Sequence, residues 1–273
     1  MEHYLWLIPL GFVIGGYGTL IGAGGGFVLV PLLILLYPQE GPEIITSISL
    51  AVVFFNALSG SVAYARMKRI DYKSGVLFSA ATIPGAILGA LTTAYIPRRV
   101  FDGVFGCVLI VTSIFLLLRS NKAQPLKRGR TNQGLSINLV EANGTTHSFA
   151  YNPVHGVGVS LVVGYVSSLL GIGGGIIHVP VLVHLLNFPV HVATATSHFV
   201  LAVMALAGTL VHIVTGTFHR GVRRTIFLAV GVLIGAQLGA RLSDRVHGVW
   251  ILRSLAIALG FVGVRILMMA LQG

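Results

Sequence analysis

Charged residues are scarce in this sequence of 273 amino acids, and their scarcity excludes an ordinary soluble protein. Asp, Glu, Lys and Arg together make up 9% of the chain, whereas soluble globular domains carry about 25%. Apolar residues make up 55%, and the mean hydropathy is +0.90. We therefore expect most of the chain to lie in lipid.

Cysteine is almost absent, and the motifs of nucleotide chemistry are missing. Cys107 is the single cysteine and lies in an apolar segment, which excludes a disulfide framework and a cysteine-based metal site within one chain. No Gly-Lys-Ser or Gly-Lys-Thr phosphate loop occurs, and Phe27 stands where a dinucleotide fingerprint needs its third glycine. Four histidines have no i, i+4 pairing and no acidic neighbour, which argues against a metal site: His178, His184, His191 and His198. We predict no cofactor and no metal.

Acidic residues are few, and none lies in the middle of an apolar segment. The seven acids are Glu2, Glu40, Glu43, Asp71, Asp102, Glu141 and Asp244. Their positions argue against a carboxylate proton relay and against an acid-lined cation path, and they favour a path for anions. The net charge of +11 comes from Lys and Arg beside apolar segments. This is the pattern of membrane topology rather than of nucleic-acid binding.

Eight apolar segments are long enough for transmembrane helices, which need roughly 20 apolar residues to cross about 30 Å of hydrocarbon. They are Tyr4 to Tyr37, Ile44 to Ala65, Gly75 to Ile96, Val100 to Leu118, Val154 to Leu186, Val192 to Thr215, Thr225 to Ser243 and Val249 to Leu271. No basic region precedes the first segment, so we expect no cleaved signal peptide. The sequence predicts an all-α polytopic membrane protein.

An internal repeat divides the chain. The stretch Gly22 to Pro31 matches Gly171 to Pro180 at an offset of 149, with six of ten positions identical. Thr46-Ser47 is paired with Thr196-Ser197, and Gly60 with Gly208. We therefore predict two homologous four-segment repeats, 1–118 and 154–273, whose first helices are broken at glycines. The polar linker 119–153 contains Asn143-Gly144, a turn signal that predicts a small β-hairpin.

The first and fifth segments are too long for single spans, which leaves two topologies open. If each is a tilted, broken helix, all eight segments span, and the loops carry 12 Lys and Arg on one side and 4 on the other. If each turns back at its glycines, the halves are inverted, and the counts are 11 and 5. The first arrangement is slightly favoured. In either arrangement the basic loops are expected in the cytoplasm.

The glycine clusters are the strongest candidates for a binding site. Unwound backbone at membrane depth is tolerated where protein or a water-filled cavity surrounds it, and a helix that starts there offers an anion its free N–H groups and its positive dipole end. Close helix packing through small residues is the alternative. The substrate-facing candidates are Gly22, Gly24, Gly25 and Gly26 in the first half, and Gly171, Gly173, Gly174 and Gly175 in the second.

Several polar residues inside apolar segments add to this prediction. The hydroxyls of Thr46, Ser47, Thr196 and Ser197 offer uncharged donors to an oxyanion, or else cap their own helices. Asn56 and Gln237 either line the path or bridge helices. Histidine changes its charge near neutral pH, so His178 and His198 either bind the anion, carry a coupled proton or pack between helices.

These features together resemble the TauE/SafE family of sulfite exporters. The resemblance rests on the paired Gly-x-Gly-Gly-Gly segments followed by an apolar run and proline, on the Thr-Ser after each, and on the Pro84-Gly85-Ala86 and Gly89 pattern. It covers nearly the whole chain apart from Arg119 to Pro153. It implies a multi-pass transporter in a bacterial or archaeal inner membrane, with sulfite, an organosulfonate or a related oxyanion as substrate.

The sequence thus predicts a secondary transporter that moves an oxyanion by alternating access around a site between its halves. A passive anion channel is the alternative within transport, and a membrane-embedded enzyme or a non-transporting structural or sensory subunit are alternatives of another class. The predicted partners are a small anion and the lipid bilayer, with homodimerisation left open and no nucleic acid.

Overall fold

The computed structural model describes residues 4–120, 135–243 and 248–272, and is mostly helical. The basic part of the predicted linker at 121–134 lies outside these residues. The first five helices are α1 (Leu7–Ile21), α2 (Gly26–Leu36), α3 (Pro42–Arg66), α4 (Tyr72–Thr93) and α5 (Arg98–Ser120). Strands β1 (Leu135–Val140) and β2 (Thr146–Tyr151) follow. The remaining helices are α6 (Pro153–Leu170), α7 (Gly175–His184), α8 (Val190–Val214), α9 (Val222–Leu242) and α10 (Gly248–Gln272), with a 3₁₀ turn at Thr217–Arg220.

Six helices among the described residues are long and apolar enough to cross a membrane: α3, α4, α5, α6, α8 and α9. The helices α1, α2 and α7 are apolar but shorter, at 15, 11 and 10 residues. This confirms the expectation of a polytopic helical membrane protein. The first and fifth apolar segments are each divided into two helices.

Glycines break these two segments. Gly22, Gly24 and Gly25 have φ angles of 83°, 77° and 79°. In the second break, Gly171, Gly173 and Gly174 have φ angles of 69°, 81° and 73°. Residues with a Cβ rarely adopt this left-handed conformation, and glycine adopts it without a steric penalty. The breaks therefore depend on the glycines that the sequence repeats.

Close contacts at glycine fix the relative directions of the helices. Gly11 lies against Leu228 and Gly15 against Val232, so α1 and α9 run in the same direction. Gly164 lies against Thr82, and Gly89 against Leu169, so α4 and α6 are also parallel. By the same criterion, α3 and α8 are antiparallel, with Gly60 against His198 and Gly208 against Leu50. These small residues let backbones approach closely, as in other membrane helix pairs.

The first broken segment returns to the end of the bundle from which it starts. Tyr4 stacks on Phe227, near the beginning of α9, at a ring distance of 6.1 Å. The loop after α2 reaches the same place, where Glu40 pairs with Arg224 at 2.9 Å. Since α1 begins and α2 ends at one end of the bundle, the two helices form a re-entrant pair.

The second broken segment is re-entrant from the other end. The hairpin of β1 and β2 leads directly into α6, and Phe188, in the loop after α7, packs on Phe149 of β2 at a ring distance of 4.4 Å. We call this the hairpin end of the bundle. Each helix from α6 to α10 therefore runs opposite to the helix at the corresponding place in the first half, so that α8 is opposite to α3 and α9 to α4. The structure therefore has the re-entrant arrangement, and not the eight spans that the loop charges slightly favoured.

The two strands pair antiparallel around the turn at Asn143-Gly144, with Leu135 opposite Tyr151 and Val140 opposite Thr146. One face of the hairpin is apolar and buried on the helices, and its other face is largely exposed. The buried side chains are Ile137, Leu139, Phe149 and Tyr151.

Candidate anion-binding site

The two glycine turns meet in the middle of the bundle, back to back. A side chain at Gly26 would lie 2.7 Å from the carbonyl oxygens of Gly171 and Ile172, and one at Gly175 would collide with the carbonyl oxygen of Gly22. Helices α2 and α7 therefore begin beside each other, and they run to opposite ends of the bundle.

Four helix ends meet at this point, the N-termini of α2 and α7 and the C-termini of α1 and α6. Each helix N-terminus carries the equivalent of about half a positive charge and N–H groups without intrahelical partners. The described acids lie far along the chain from the glycine turns, at helix ends or in loops: Glu40, Glu43, Asp71, Asp102 and Glu141. Glu2 and Asp244 lie outside the described residues. Within the described chain, the N-termini of α2 and α7 thus meet where no acidic residue is close in sequence.

A small cavity lies at the beginning of α7. It is lined by Thr82, Val163, Gly174, Gly175, His178, Ser197, Val200, Leu201 and Met204, all of them buried. The volume open to the centre of a water molecule is ≈ 10 Å³, which is room for about one water.

The polar side chains in this cavity have unused hydrogen-bonding capacity. Among the described residues, Nδ1 of His178 and the hydroxyl of Ser197 have no hydrogen-bond partner. The other ring nitrogen of His178, Nε2, lies 3.2 Å from the hydroxyl of Ser160 on α6. His178 and Ser197 are 3% and 1% exposed. Buried polar atoms normally find partners, so these two atoms are candidates to bind a polar ligand in a cavity whose other lining side chains are mostly apolar.

The two glycine turns differ in the side chains that fill the space beside them. A side chain at Gly25 would lie 2.7 Å from Cγ2 of Ile14, while one at Gly174 would meet Met204 and the hydroxyl of Ser167 at 3.1 and 3.2 Å. Leu29 stands three residues after Gly26, where α7 has His178 three residues after Gly175. The space beside Gly25 is thus filled by an aliphatic side chain, and the space beside Gly174 by a thioether and a hydroxyl.

Of the four predicted hydroxyls, only that of Ser197 lines the cavity. The hydroxyl of Thr46 donates to Glu43 O at 3.2 Å, and that of Ser47 to Ile44 O at 2.7 Å. The hydroxyl of Thr196 accepts a hydrogen bond from the Asp71 amide at 3.1 Å. In this conformation these three make structural hydrogen bonds.

The structure reveals two hydroxyl residues that the sequence comparison missed. Ser49 donates to Gly171 O at 2.6 Å, and Thr194 packs against Gly22. Ser49 lies as far from Ser197 along the chain as Gly60 lies from Gly208, a separation of 148 residues. The separation of Gly60 and Gly208 was the sequence signal for this alignment. A constant separation of 148 residues pairs Thr46 with Thr194 instead of Thr196.

His198 lies outside the cavity, in a separate polar cluster. Its Nε2 is 3.2 Å from the hydroxyl of Thr19, which also lies 3.1 Å from Oδ1 of Asn56. The ring packs edge-on against Tyr64 at 5.7 Å. Gln237 bridges α9 and α3 by donating to the carbonyl and hydroxyl oxygens of Ser59 at 2.7 and 2.9 Å. In this conformation Asn56, Gln237 and His198 connect helices, and His178 is the histidine of the cavity.

Metal chemistry finds no support in the part of the chain that the structure describes, where no three His, Cys, Asp or Glu side chains gather closely enough to hold an ion. The polar groups of the cavity are hydroxyl, imidazole and backbone N–H. Such groups donate hydrogen bonds to oxyanions without adding a fixed charge.

Comparison with known proteins gives a consistent match. Residues 7–266 match the family described as sulfite exporter TauE/SafE. The probable membrane transporter protein YunE of Bacillus subtilis is 31% identical to the chain over 97% of both proteins. A probable membrane transporter protein of Methanocaldococcus jannaschii is 24% identical over 97% of both, and one of Xylella fastidiosa is 26% identical over 86% of this chain and 82% of its own. No solved structure matches significantly.

Proposed function

The chain belongs to the TauE/SafE sulfite exporter family, and we propose that it is a secondary transporter that carries a sulfur-containing oxyanion, sulfite or an organosulfonate, by alternating access. The family makes it a multi-pass membrane transporter and not an enzyme. The choice of a sulfur-containing substrate follows the description of the family, whereas the mechanism and the site are our inference from the geometry.

One observation carries the proposal: two helix N-termini meet at the middle of the bundle, beside a buried cavity with unpartnered polar atoms. If the hydroxyl of Ser160 donates to Nε2 of His178, the neutral imidazole carries its proton on Nδ1. That proton and the hydroxyl of Ser197 are then both available to one oxyanion bound at the beginning of α7. A cation would meet the same positive dipole end and be repelled.

The glycines of the two turns serve different purposes in this proposal. Gly174 and Gly175 line the cavity at the beginning of α7, where the Gly175 amide donates to the Gly173 carbonyl at 2.8 Å. The others let the turns pack against each other: Gly22, Gly24, Gly25, Gly26, Gly171 and Gly173. Thr46, Ser47 and Thr196 support the helix ends around them, and Asn56, Gln237 and His198 connect the surrounding helices.

The small volume of the cavity supports a mechanism with a conformational change. Room for about one water is too little for an oxyanion of several heavy atoms, so the cavity must widen before such an ion binds. We infer that the structure corresponds to a closed state. A permanently open channel would have a continuous polar path, so a passive channel is the less favoured alternative.

The relation between the halves supports alternating access as well. We propose that 1–118 and 154–273 are inverted repeats, because their matching glycine turns belong to helices of opposite direction. Inverted repeats around a central site made by broken helices are a common plan of secondary transporters. The loops at the hairpin end then carry 11 Lys and Arg against 5 at the other end, which supports a cytoplasmic hairpin end in an inner-membrane protein.

Uptake into proteoliposomes tests this function. The purified protein should take up radiolabelled sulfite or a labelled alkanesulfonate with saturable kinetics, and unlabelled substrate inside the vesicles should accelerate entry. A chloride gradient without sulfite or sulfonate should drive little chloride across the membrane. Flux that never saturates would favour the channel. Failure to move any sulfur oxyanion would overturn the proposal.

A further inference from the structure

An aromatic cluster separates the cavity from the hairpin end of the bundle. Phe78 of α4 packs edge-on against His178 at a ring distance of 5.8 Å, and on its other side contacts Tyr151 at 5.7 Å. Phe188 contacts Phe149 at 4.4 Å and Tyr151 at 5.2 Å. Aromatic rings thus lead without interruption from the cavity histidine to β2.

Polar contacts fasten the hairpin over this cluster. Nε of Arg69 lies 2.8 Å from Oε2 of Glu141, in a pair whose side chains are 7% and 4% exposed. His147 contacts the other carboxylate oxygen of Glu141 at 2.7 Å. The Ala142 amide donates to the Met67 carbonyl at 2.9 Å.

The contacts of the hairpin continue to the wall of the cavity. The hydroxyls of Tyr151 and Ser74 lie 2.5 Å apart, and Ser74 donates to the Asp71 carboxylate. The Asp71 amide donates to Thr196, the neighbour of Ser197. A shift of the hairpin would therefore change the hydrogen bonds of residues next to the cavity wall.

The hairpin is suited to moving as a unit. A two-stranded hairpin is marginally stable alone in water, so its position depends on the contacts with the helices. Its outer face is exposed at Ser136, Asn138, Val140 and Ser148. The opposite end of the bundle is closed by a loop instead of a hairpin. In this loop, which follows α2, the Glu40 carboxylate pairs with Arg224, and Arg98 donates to the Glu40 carbonyl at 2.7 Å.

We propose that the β-hairpin is the gate of the substrate path at its end of the bundle. When the hairpin leaves the helices, Phe188 loses its aromatic neighbours Phe149 and Tyr151, and the end of the second re-entrant pair becomes accessible from water. The idea rests on the proposed function only in that the path leads to the proposed anion site. The gating proposal itself concerns only whether Ser197 is accessible from water at the hairpin end.

Thiol labelling of Ser197→Cys in a Cys107→Ser background tests this gate without requiring transport. The probe is 2-sulfonatoethyl methanethiosulfonate, a membrane-impermeant anion, added at the hairpin end in oriented vesicles. A disulfide between Met67→Cys and Ala142→Cys, whose backbones are hydrogen-bonded, locks the hairpin to the helices. A disulfide between Asn138→Cys and Ser148→Cys, opposite each other in the two strands, is the matched control because it links the hairpin only to itself.

The lock should slow labelling by about tenfold or more, because opening of the gate becomes rare. Reduction should restore the rate, and the control disulfide should leave it unchanged. Glu141→Gln should accelerate labelling, whereas Glu40→Gln, at the opposite end, should not. Equal labelling rates in the locked and control proteins would overturn the gate, as would a Ser197→Cys that never reacts from the hairpin end.

Sulfite uptake by vesicles whose protein keeps Ser197 and carries the same two disulfides separates this proposal from the proposed function. Labelling that responds to the lock, together with no sulfite uptake by the protein that keeps Ser197, would leave the gate standing and overturn the substrate assignment. Uptake that continues unchanged through the oxidised lock would overturn the gate and leave the transport function standing.

Discussion

At the residue scale, glycine is required where the two turns touch. Gly175 has no unusual backbone conformation, yet a side chain there would strike the carbonyl oxygen of Gly22 and the backbone of Ala23. The requirement at this position is therefore one of distance between two backbones. Gly158, in α6, is an internal contrast, because a side chain there would meet nothing within 4 Å.

Alanine substitution at these two glycines should have opposite effects. Gly175→Ala should destabilise the protein by about 1 to 3 kcal/mol, because the overpacked turns must move apart, and it should reduce sulfite uptake. Gly158→Ala should be neutral or stabilising by up to about 1 kcal/mol, since it replaces glycine within a helix. Thermal midpoints in detergent measure the difference. Equal midpoints for the two variants would show that the close approach of the turns is unimportant.

At the scale of elements, the sequence predicted the helical segments and their glycine breaks, because apolar length and glycine clusters are local signals. It could not predict the direction of the paired helices. That depends on contacts between residues far apart in the chain, such as Gly11 with Leu228. The structure brings together only some of the residues that the sequence singled out as site candidates. Gly174, Gly175, His178 and Ser197 share one cavity, whereas Thr82 and Met204 carry no motif and were missed, and His198 lies elsewhere.

The docked hairpin should respond to acid through Glu141. Burial alone would raise the pKa of Glu141, but hydrogen bonds from Arg69 and His147, together with their charges, outweigh it and hold the pKa below its ordinary value. A carboxyl group whose pKa is lower in the docked state favours docking above its ordinary pKa of about 4.3 and loses that contribution as the pH falls through the lowered value.

Hydrogen exchange of residues 135–151, corrected for the intrinsic effect of pH, measures this response. The wild-type hairpin should stay protected from about pH 7 down to about pH 5 and lose protection below about pH 4. Glu141→Gln should be less protected at neutral pH and should lack the acid transition. Wild-type protection at neutral pH in that variant would show that the ion pair does not hold the hairpin.

At the scale of the whole molecule, the two re-entrant pairs approach the centre from opposite ends, and this sets the topology. The loop after α2 and the loop after α7 lie at opposite ends of the bundle, although they follow matching apolar runs. The loop charges alone could not decide this, because both topologies put most Lys and Arg on one side. The distinction came from tertiary contacts.

Single cysteines at Gln39 and Asn187, both exposed, report this topology. In a Cys107→Ser background, a membrane-impermeant maleimide added to intact cells should label one of them, and the other should react only in inverted vesicles. The positive-inside rule predicts that Gln39→Cys is the one labelled from outside. Labelling of both from the same side would restore the eight-span arrangement and contradict the inverted halves.

We expect the oxyanion to bind at the beginning of α7, between His178 and Ser197. Selenite resembles sulfite in charge and shape, and its selenium can be located directly by anomalous X-ray scattering from crystals soaked in selenite. An anomalous peak should appear in the widened cavity beside Gly174, within hydrogen-bonding distance of His178 Nδ1 and the Ser197 hydroxyl. A protein that transports selenite, yet shows its peak away from both glycine turns, would contradict it.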